Sequence, residues 1–138
     1  MSKNILVTGG AGFIGCHLCR ELLDSGNNVF CLDNLSSGSF DNIKHLTSNE
    51  SFSFYKLDIE DFIQIDNKID EIYHLACPAS PPFYQQDPIK TLDTNYLGTK
   101  NVLEFARIKK CKVLLTSTSE VFGDPNISPQ DEDYWGNV

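Results

Sequence analysis

Several features are missing from this sequence, and each absence excludes a class of protein. No apolar run approaches the roughly 20 residues of a membrane-spanning helix, and the opening Met1-Ser2-Lys3-Asn4 lacks the apolar stretch of a secretory signal. Basic residues are in the minority, 11 Lys and Arg against 19 Asp and Glu, and a net charge of -8 would repel a phosphate backbone. We therefore expect a cytoplasmic protein without a membrane or nucleic-acid partner.

Cysteines are few and scattered, which argues against disulfides and metal ligation. The five cysteines show no regular spacing and stand at positions 16, 19, 31, 77 and 111. Cys16-His17-Leu18-Cys19 offers possible ligands, but it falls inside a predicted helix, and no second cysteine pair stands at a usable spacing. We predict no metal site and interpret the cysteines as free thiols packed like small apolar side chains.

What the sequence does contain is an alternation of strand and helix signals. Short apolar segments predict five buried strands, at residues 4–8, 29–32, 52–55, 71–76 and 112–116. Apolar residues at helical spacing predict a helix that begins near Phe13 and is closed by Gly26. Asp87-Pro88 predicts the start of a second helix, which runs to about Lys109.

Two other segments give weaker signals. Residues 60–68 are ambiguous and could form a short helix, whereas the prolines at 78, 81 and 82 predict a loop. Strands separated by helix-length segments predict an α/β fold, a doubly wound parallel sheet, over residues 1–123. Residues 124–138 contain prolines and acidic residues. We interpret them as a connecting segment that leads to a missing catalytic and substrate-binding region, so that the sheet is incomplete at the C-terminus.

The first predicted strand leads into a glycine-rich turn. Gly10-Ala11-Gly12-Phe13-Ile14-Gly15 matches Gly-x-Gly-x-x-Gly, and Gly9 adds the Gly-x-x-Gly-x-x-Gly spacing of short-chain dehydrogenases. Following a strand and opening a helix, such glycines let the backbone approach a pyrophosphate at a helix N-terminus. The motif therefore predicts a Rossmann NAD-binding fold.

Asp33 ends the second predicted strand, near the offset of about 20 residues expected for a ribose-binding acid. Its carboxylate would accept hydrogen bonds from the adenosine ribose and would repel a 2′-phosphate, which favours NAD over NADP. The alternative interpretation is a tight turn followed by a surface aspartate without a ligand.

Seven stretches carry a resemblance to a known family, at residues 6–15, 32–34, 74–81, 88–92, 94–95, 116–125 and 134–138. Together they resemble the UDP-glucuronate decarboxylases (UDP-xylose synthases), a group of extended short-chain dehydrogenases/reductases. The first two stretches are shared with sugar-nucleotide epimerases and dehydratases. The stretch His-Leu-Ala-Cys-Pro-Ala-Ser-Pro at 74–81, Ser-Thr-Ser-Glu-Val at 117–121 and the Tyr-Trp-Gly end are more specific to the decarboxylases.

The resemblance implies a lyase of UDP-xylose biosynthesis that uses tightly bound NAD. Such an enzyme oxidises C4 of UDP-glucuronate, releases CO2 from the resulting β-keto acid and reduces the 4-keto pentose to UDP-xylose; the cofactor carries the hydride. The resemblance also implies a homodimer, formed through helices that include the one starting near Asp87.

The resemblance further implies roles for particular residues. The cofactor would contact the glycine turn through Gly9, Gly12, Phe13, Ile14 and Gly15, the adenosine pocket through Asp33, Asn34, Ser37, Gly38, Asp58 and Ile59, and the remaining cleft through Leu75, Cys77, Thr94 and Thr116. Thr118 would hydrogen-bond to the reacting 4-hydroxyl, and Ser119 and Glu120 would handle the carboxylate. Asn101 and Arg107 would contact the substrate. From the residues alone, Thr118 and Ser119 could equally form a polar turn and Glu120 a solvated acid.

The sequence departs from the family pattern in two places. The catalytic pair of the family is Tyr-x-x-x-Lys, but four residues after Tyr134 stands Val138. We therefore expect the pair beyond Val138 and expect this chain to be an inactive fragment. Asp93 occupies a position where close relatives carry a basic residue that contacts the substrate.

Two alternatives remain open. One is a dTDP-glucose 4,6-dehydratase-like or epimerase-like enzyme, although dehydratases usually have Thr-Asp-Glu where this chain has Thr118-Ser119-Glu120. The other is a stand-alone, non-catalytic nucleotide-binding module, for which the segment after Gly123 would be a finished tail.

Overall fold

The computed structural model describes residues 2–138 and contains a parallel sheet of five strands in the order β3-β2-β1-β4-β5. The strands are β1 (Asn4–Thr8), β2 (Asn28–Asp33), β3 (Phe52–Lys56), β4 (Glu71–His74) and β5 (Lys112–Leu115). Every neighbouring pair runs parallel. The predicted doubly wound α/β sheet is therefore confirmed, and each predicted strand lies in the sheet.

Helices follow β1 and β4, as predicted, and a short additional helix lies in the proline-rich segment. They are α1 (Phe13–Asp24), α2 (Pro81–Tyr84), α3 (Pro88–Asp93) and α4 (Thr99–Lys109), with a π-helical turn at Thr94–Gly98 joining α3 to α4. Short 3₁₀ turns lie at Phe40–Asn42, Lys44–Leu46 and Ser119–Phe122. Among residues 2–138, no helix combines the length and the apolar character that crossing a membrane would require.

Two local predictions were wrong. Residues 60–68 form no helix; instead Ile63 and Ile65 both point into the core from an irregular backbone, a spacing of two that a helix cannot bring to one face. The proline-rich loop contains the short helix α2, because Pro81 and Pro82 stand in its first turn, where the missing N–H groups cost no hydrogen bond.

The core has two halves, one on each face of the sheet. Alternate strand residues face opposite ways, so that Leu6 and Ile72 join a buried cluster with Val102 of α4. Val7 and Cys31 belong to the other cluster. That second cluster also contains the α1 side chains Cys19 and Leu23. The two layers of helix thereby fix the sheet and the loops at its carboxyl edge.

The turn between β1 and α1 depends on a very close backbone approach. Gly9 has a φ of +73°, and its N–H donates to the Leu32 carbonyl at 2.8 Å. A Cβ on Gly15 would lie 2.2 Å from the Gly9 carbonyl oxygen. Since side chains essentially never come so close to backbone oxygen, only glycine lets α1 begin directly behind β1.

Residues 123–137 fold back on the last 3₁₀ turn. The Asn137 N–H donates to the Phe122 carbonyl at 2.8 Å, and the rings of Phe122 and Tyr134 lie 5.7 Å apart. Gly123 and Asn137 form an isolated bridge. The segment after Gly123 is therefore packed against the chain that precedes it.

A buried histidine ties the middle of the sheet to α4. His74 ends β4, and its Nδ1 lies 2.7 Å from the Thr8 hydroxyl of β1, while its Nε2 lies 3.1 Å from the Thr99 hydroxyl. Burial lowers the pKa of His74 below its ordinary value. The neutral imidazole is thus the form that this environment favours.

Folding stability is expected to fall as the pH drops below about 6.5. His74 has a lower pKa folded than unfolded, so the unfolded chain binds more protons below that pH. The stability that neutral, buried His74 contributes is fully present above its pKa in the unfolded chain. It is lost as the pH falls toward the lower pKa that His74 has in the folded protein. The carboxyl groups with lowered pKa start from ordinary values of 3.8 to 4.5 and titrate below this window. Urea unfolding between about pH 7.5 and 5 measures the slope.

The matched variants are His74→Asn and His45→Asn. His45 is exposed, so H45N should keep the slope, whereas H74N should be less stable at every pH and should lose the slope. An unchanged slope in H74N would assign the pH dependence to another group.

The close approach of Gly15 to the Gly9 carbonyl predicts that a substitution at position 15 lowers the stability of the fold. In an ordinary helix, Gly→Ala stabilises by about 1 kcal/mol. Gly15→Ala should instead destabilise by about 1–3 kcal/mol, because the backbone must move away from the new methyl group. Glu21→Ala on the exposed side of the same helix is the control and should stay within about 0.5 kcal/mol. A G15A protein as stable as the parent in urea would contradict the close approach.

Candidate functional site

A cleft of about 260 Å³ opens at the carboxyl edge of the sheet. β1 has β2 on one side and β4 on the other, so the strand order reverses there. Open α/β sheets bind ligands at this switch point. Most of the predicted cofactor residues line the cleft: Gly9, Gly12, Asp33, Asn34, Ser37, Gly38, Asp58, Ile59, Leu75, Cys77 and Thr94. The structure thus brings together residues that are spread over 86 positions of the sequence, from Gly9 to Thr94.

Asp33 holds the glycine turn and the loop after β2 together. Its Oδ2 accepts the Ala11 N–H at 2.9 Å, and its Oδ1 accepts the Leu35 N–H at 2.8 Å. The side chain is buried. An ionised carboxylate can accept about four hydrogen bonds, so Asp33 keeps acceptor capacity for a ligand while it fixes the turn.

Asn42, which the sequence predictions missed, supports the glycine turn from outside the cleft lining. Its Nδ2 donates to the Ala11 carbonyl at 2.8 Å, and the Ser39 N–H donates to the same oxygen at 3.2 Å. A Cβ on Gly38 would lie 2.9 Å from that oxygen. The loop after β2 is therefore pressed against the glycine turn. No sequence motif marks Asn42, because the contact joins positions 31 residues apart.

A charged network lines the opposite part of the cleft. Lys90 Nζ lies 3.0 Å from Asp58 Oδ2 and 2.7 Å from Glu60 Oε1. Asn34 Nδ2 donates to Asp58 Oδ2 at 2.9 Å, and the Thr94 hydroxyl donates to Glu60 Oε1 at 2.6 Å. Lys90, like Asn42, was not among the predicted site residues.

The network sets the charge states of its members. Burial acts to raise the pKa of Asp58, but hydrogen bonds from the Glu60 N–H, Asn34 and Lys90 outweigh it and leave the pKa below its ordinary value. The hydrogen bond to Glu60, together with that to Asp58, raises the pKa of Lys90. At neutral pH the cleft therefore holds an ionised Asp58 beside an ammonium group.

Other predicted cofactor residues lie next to the cleft without lining it. Phe13 and Ile14 are 81% and 67% exposed at the start of α1. Thr116 follows β5, and both its N–H and its hydroxyl donate to the His74 carbonyl at 3.1 Å. These side chains are available to a ligand that extends beyond the cleft.

The three predicted catalytic residues are exposed beyond the end of β5. The Thr118 Oγ accepts the Glu120 N–H at 3.2 Å and caps the 3₁₀ turn Ser119–Phe122. β5 runs parallel to β4, so this turn follows the same edge of the sheet as the cleft. The hydroxyl hydrogen of Thr118 remains free to donate.

The two predicted substrate residues lie on α4, outside the cleft lining. Asn101 Nδ2 donates to the carbonyls of Ile59 and Glu60 at 3.0 and 2.8 Å. Arg107 pairs with Glu104 at 2.6 Å on the surface. Asn101 thus anchors the loop that carries Asp58, and its contact with substrate stays a prediction.

The catalytic pair is expected beyond Val138, but the spacing Tyr-x-x-x-Lys also occurs once within the chain, at Tyr96 and Lys100. Tyr96 is 64% exposed on the π-helical turn, and Lys100 is exposed on α4. Neither residue lines the cleft. This pair therefore lies outside the site that the cleft defines.

The cysteines follow the prediction in part. Cys19 and Cys31 are buried, and their mutual hydrogen bond, together with burial, raises the pKa of Cys31. Cys77, in contrast, is exposed in the cleft, so its interpretation as a packed apolar group was wrong. Among residues 2–138, no three His, Cys, Asp or Glu side chains are grouped so as to hold a metal ion.

Comparison with known proteins agrees with this geometry. The family model described as GDP-mannose 4,6-dehydratase matches residues 6–135. The chain is 48% identical over 136 residues to UDP-glucuronic acid decarboxylase 1 of Danio rerio, covering 99% of this chain and 32% of that protein. It is 50% identical over 138 residues to UDP-glucuronic acid decarboxylase 5 of Arabidopsis thaliana, covering 99% of this chain and 40% of that protein.

Solved structures share the fold. A UDP-galactose 4-epimerase superposes with a TM-score of 0.85 at 34% identity, over 97% of this chain and 44% of that one. A UDP-glucose-4-epimerase from Stenotrophomonas maltophila with bound NAD and formylated UDP-arabinopyranose superposes with a TM-score of 0.86 at 26% identity, over 98% of this chain and 43% of that one.

The chain spans 32–40% of the length of the two decarboxylases. Because the family model matches residues 6–135, the chain belongs to the GDP-mannose 4,6-dehydratase family.

Proposed function

We propose that this chain is the NAD-binding part of a cytoplasmic UDP-glucuronate decarboxylase. The observation that carries the proposal is the arrangement of Asp33, whose carboxylate is bonded to the glycine turn and lines the cleft at the switch point. Identity of 48–50% to UDP-glucuronic acid decarboxylases over nearly the whole chain supports the substrate class.

The residues present fit NAD. Because Gly9 and Gly15 carry no side chains, the backbone N–H groups at the N-terminus of α1 are accessible to a ligand. α1 has 12 residues, and its dipole favours a phosphate at this end. Asp33 offers acceptors to the two ribose hydroxyls, and its negative charge opposes a 2′-phosphate. Asp58 and Ile59 would flank the adenine at the far part of the cleft.

The chemistry of the bound cofactor would be hydride acceptance from the sugar C4 and its later return. Leu75, Cys77, Thr94 and Thr116 would border the reactive end. Thr118, with its hydroxyl hydrogen free, would donate to the 4-oxygen of the sugar. Ser119 and Glu120 would contact the carboxylate that is lost, and Asn101 and Arg107 would complete the substrate site.

The helical stretch of α3, the π-helical turn and α4 has an exposed apolar surface that a homodimer would bury. Apolar side chains are exposed along α3, the π-helical turn and α4: Ile89 at 73%, Leu92 at 66%, Tyr96 at 64% and Leu103 at 50%. Scattered exposed apolar residues are ordinary, but a row along one helix marks a surface suited to a protein partner. We propose that a second copy of the protein covers it.

A second candidate is a UDP-sugar 4-epimerase, which the structural neighbours favour. Those epimerases reach TM-scores of 0.85 and 0.86, but only at 34% and 26% identity. An NAD-dependent NDP-hexosamine 5,6-dehydratase is similar at 32% identity. Because the decarboxylases are 48–50% identical, we place the epimerase reaction second. A stand-alone nucleotide-binding module would share the same cofactor cleft.

Removal of the Asp33 carboxylate tests the cofactor assignment. Asp33→Ala should weaken NAD binding on the order of tenfold or more, because charged hydrogen bonds to the ribose are lost. The substitution should also reduce the ratio of NAD affinity to NADP affinity, because the negative charge that repels the 2′-phosphate is lost. Titration calorimetry with both dinucleotides measures the two effects.

Asp41→Ala is the matched control, since Asp41 is an exposed aspartate of the following loop. D41A should bind NAD like the parent. Equal NAD affinity in D33A and the parent would exclude Asp33 as the ribose acceptor.

A further expectation concerns turnover. Neither Tyr96 nor Lys100 lines the cleft, and Tyr134 has no lysine four residues later. The 138-residue chain, supplied with NAD and UDP-glucuronate, should therefore release no CO2 and form no UDP-xylose. Mass spectrometry of the nucleotide sugars checks this, with the Danio rerio relative as positive control. Appearance of UDP-xylose would mean that a residue of this chain exchanges the proton.

A further inference from the structure

We propose that Lys90 is a positioning residue that fixes the Asp58 carboxylate and thereby makes the cleft select adenine over bases with an oxygen at the same ring position. The inference rests on the proposed binding of NAD. It concerns a residue outside the predicted cofactor set, and it is carried by the hydrogen bonds of the network around Asp58.

The acceptor sites of Asp58 are nearly full. Oδ1 accepts the Glu60 N–H at 3.1 Å, and Oδ2 accepts Asn34 Nδ2 at 2.9 Å and Lys90 Nζ at 3.0 Å. Of about four acceptor sites on a carboxylate, one remains. Since Asp58 lines the cleft, the arrangement leaves room for a single donor from a ligand and holds the carboxylate in one orientation.

Lys90 also separates two like charges. Its Nζ lies within 3.0 Å of both Asp58 Oδ2 and Glu60 Oε1. The two carboxylate side chains are only 21% and 19% exposed. Without the ammonium group, two half-buried carboxylates would face each other, and one would turn away or take up a proton. Either change removes the ionised, oriented acceptor.

The helix that carries Lys90 is fastened to the loop that carries Asp58. The Lys90 N–H donates to the N-cap Asp87 at 2.9 Å, and the Thr94 hydroxyl lies 2.9 Å from the Lys90 carbonyl and 2.6 Å from Glu60. One π-helical turn further along, a Cβ on Gly98 would lie 2.4 Å from Ile59 Cδ1. Lys90 is therefore held in place by the fold, which distinguishes it from a freely moving surface lysine.

This geometry discriminates between purine bases. Adenine carries an exocyclic amino group, which donates to an ionised carboxylate. Hypoxanthine carries an oxygen at the same position, and that oxygen would face the negative charge without a proton between them. A buried acceptor left without its donor costs affinity, and the wrong base is rejected for this reason.

The test compares two dinucleotides that differ only in this base, in which an oxygen replaces the amino group and N1 gains a proton. Titration calorimetry with NAD and with nicotinamide hypoxanthine dinucleotide gives the ratio of the two dissociation constants for each variant of the chain. Lys90→Met should lower the preference for NAD on the order of tenfold. Lys90→Arg keeps the charge and the donors and should restore most of that preference.

Lys3→Met is the matched control. Lys3 forms a similar ion pair with Glu71 at 2.7 Å and is 52% exposed, against 44% for Lys90, but it lies outside the cleft lining. K3M should keep the parental base preference. Thermal unfolding of all variants separates loss of the fold from loss of the preference for NAD. If K90M does not fold, the ratio of the two dissociation constants is compared between K90R and the parent.

The outcomes separate the inference from the function on which it rests. NAD binding by K90M with an undiminished base preference overturns the role of Lys90 and leaves the proposed function standing. A fall in preference that K90R fails to restore also overturns it. Absence of binding of either dinucleotide to the parent chain overturns the NAD assignment, and the inference with it.

Discussion

The close approach of the Gly15 backbone to the Gly9 carbonyl determines how closely α1 can follow β1. With any side chain at position 15, the helix would have to move away from the strand, since the Cβ would lie 2.2 Å from the oxygen. Because the turn is this tight, the first N–H groups of α1 stand at the switch point of the sheet. Asp33 accepts a hydrogen bond from the Ala11 N–H, and Asn42 donates one to the Ala11 carbonyl, which holds the turn in place. The close approach of two backbone segments without a side chain between them thus shapes the glycine-turn end of the cleft.

Asp33 and Asp58, two of the three aspartates that line the cleft, are stabilised in different ways. Asp33 is compensated by the backbone N–H groups of Ala11 and Leu35, which belong to the fold itself. Asp58 depends partly on a lysine from another helix. Loss of a backbone donor requires the fold to change, whereas the ammonium group beside Asp58 is supplied by the Lys90 side chain alone. A side-chain substitution can therefore perturb the orientation of the Asp58 carboxylate, whereas the backbone sets that of Asp33.

Much of the fold could be predicted from the sequence. The strands are short apolar segments bounded by glycine or polar residues, and each lies within two residues of its predicted ends. The prediction failed where local pattern and tertiary packing disagree. Ile63 and Ile65 are buried in the core cluster without a regular element, and Asn101 of α4 hydrogen-bonds to the carbonyls of Ile59 and Glu60 just before them. Such a contact leaves no periodic signal in the sequence.

The sequence by itself determined the glycine turn, the acid at the end of β2 and the alternation of strands and helices, because these depend on neighbours within one βαβ unit. Only the tertiary structure decided that Lys90 lines the cleft, that Asn42 holds the loop after β2 against the glycine turn, that Cys77 is exposed in the cleft, and that Tyr96 and Lys100 lie outside it. Those facts depend on the strand order and on the rotation of α3 and α4 against the sheet. Both are set by packing between residues distant in the chain, which local spacing does not record.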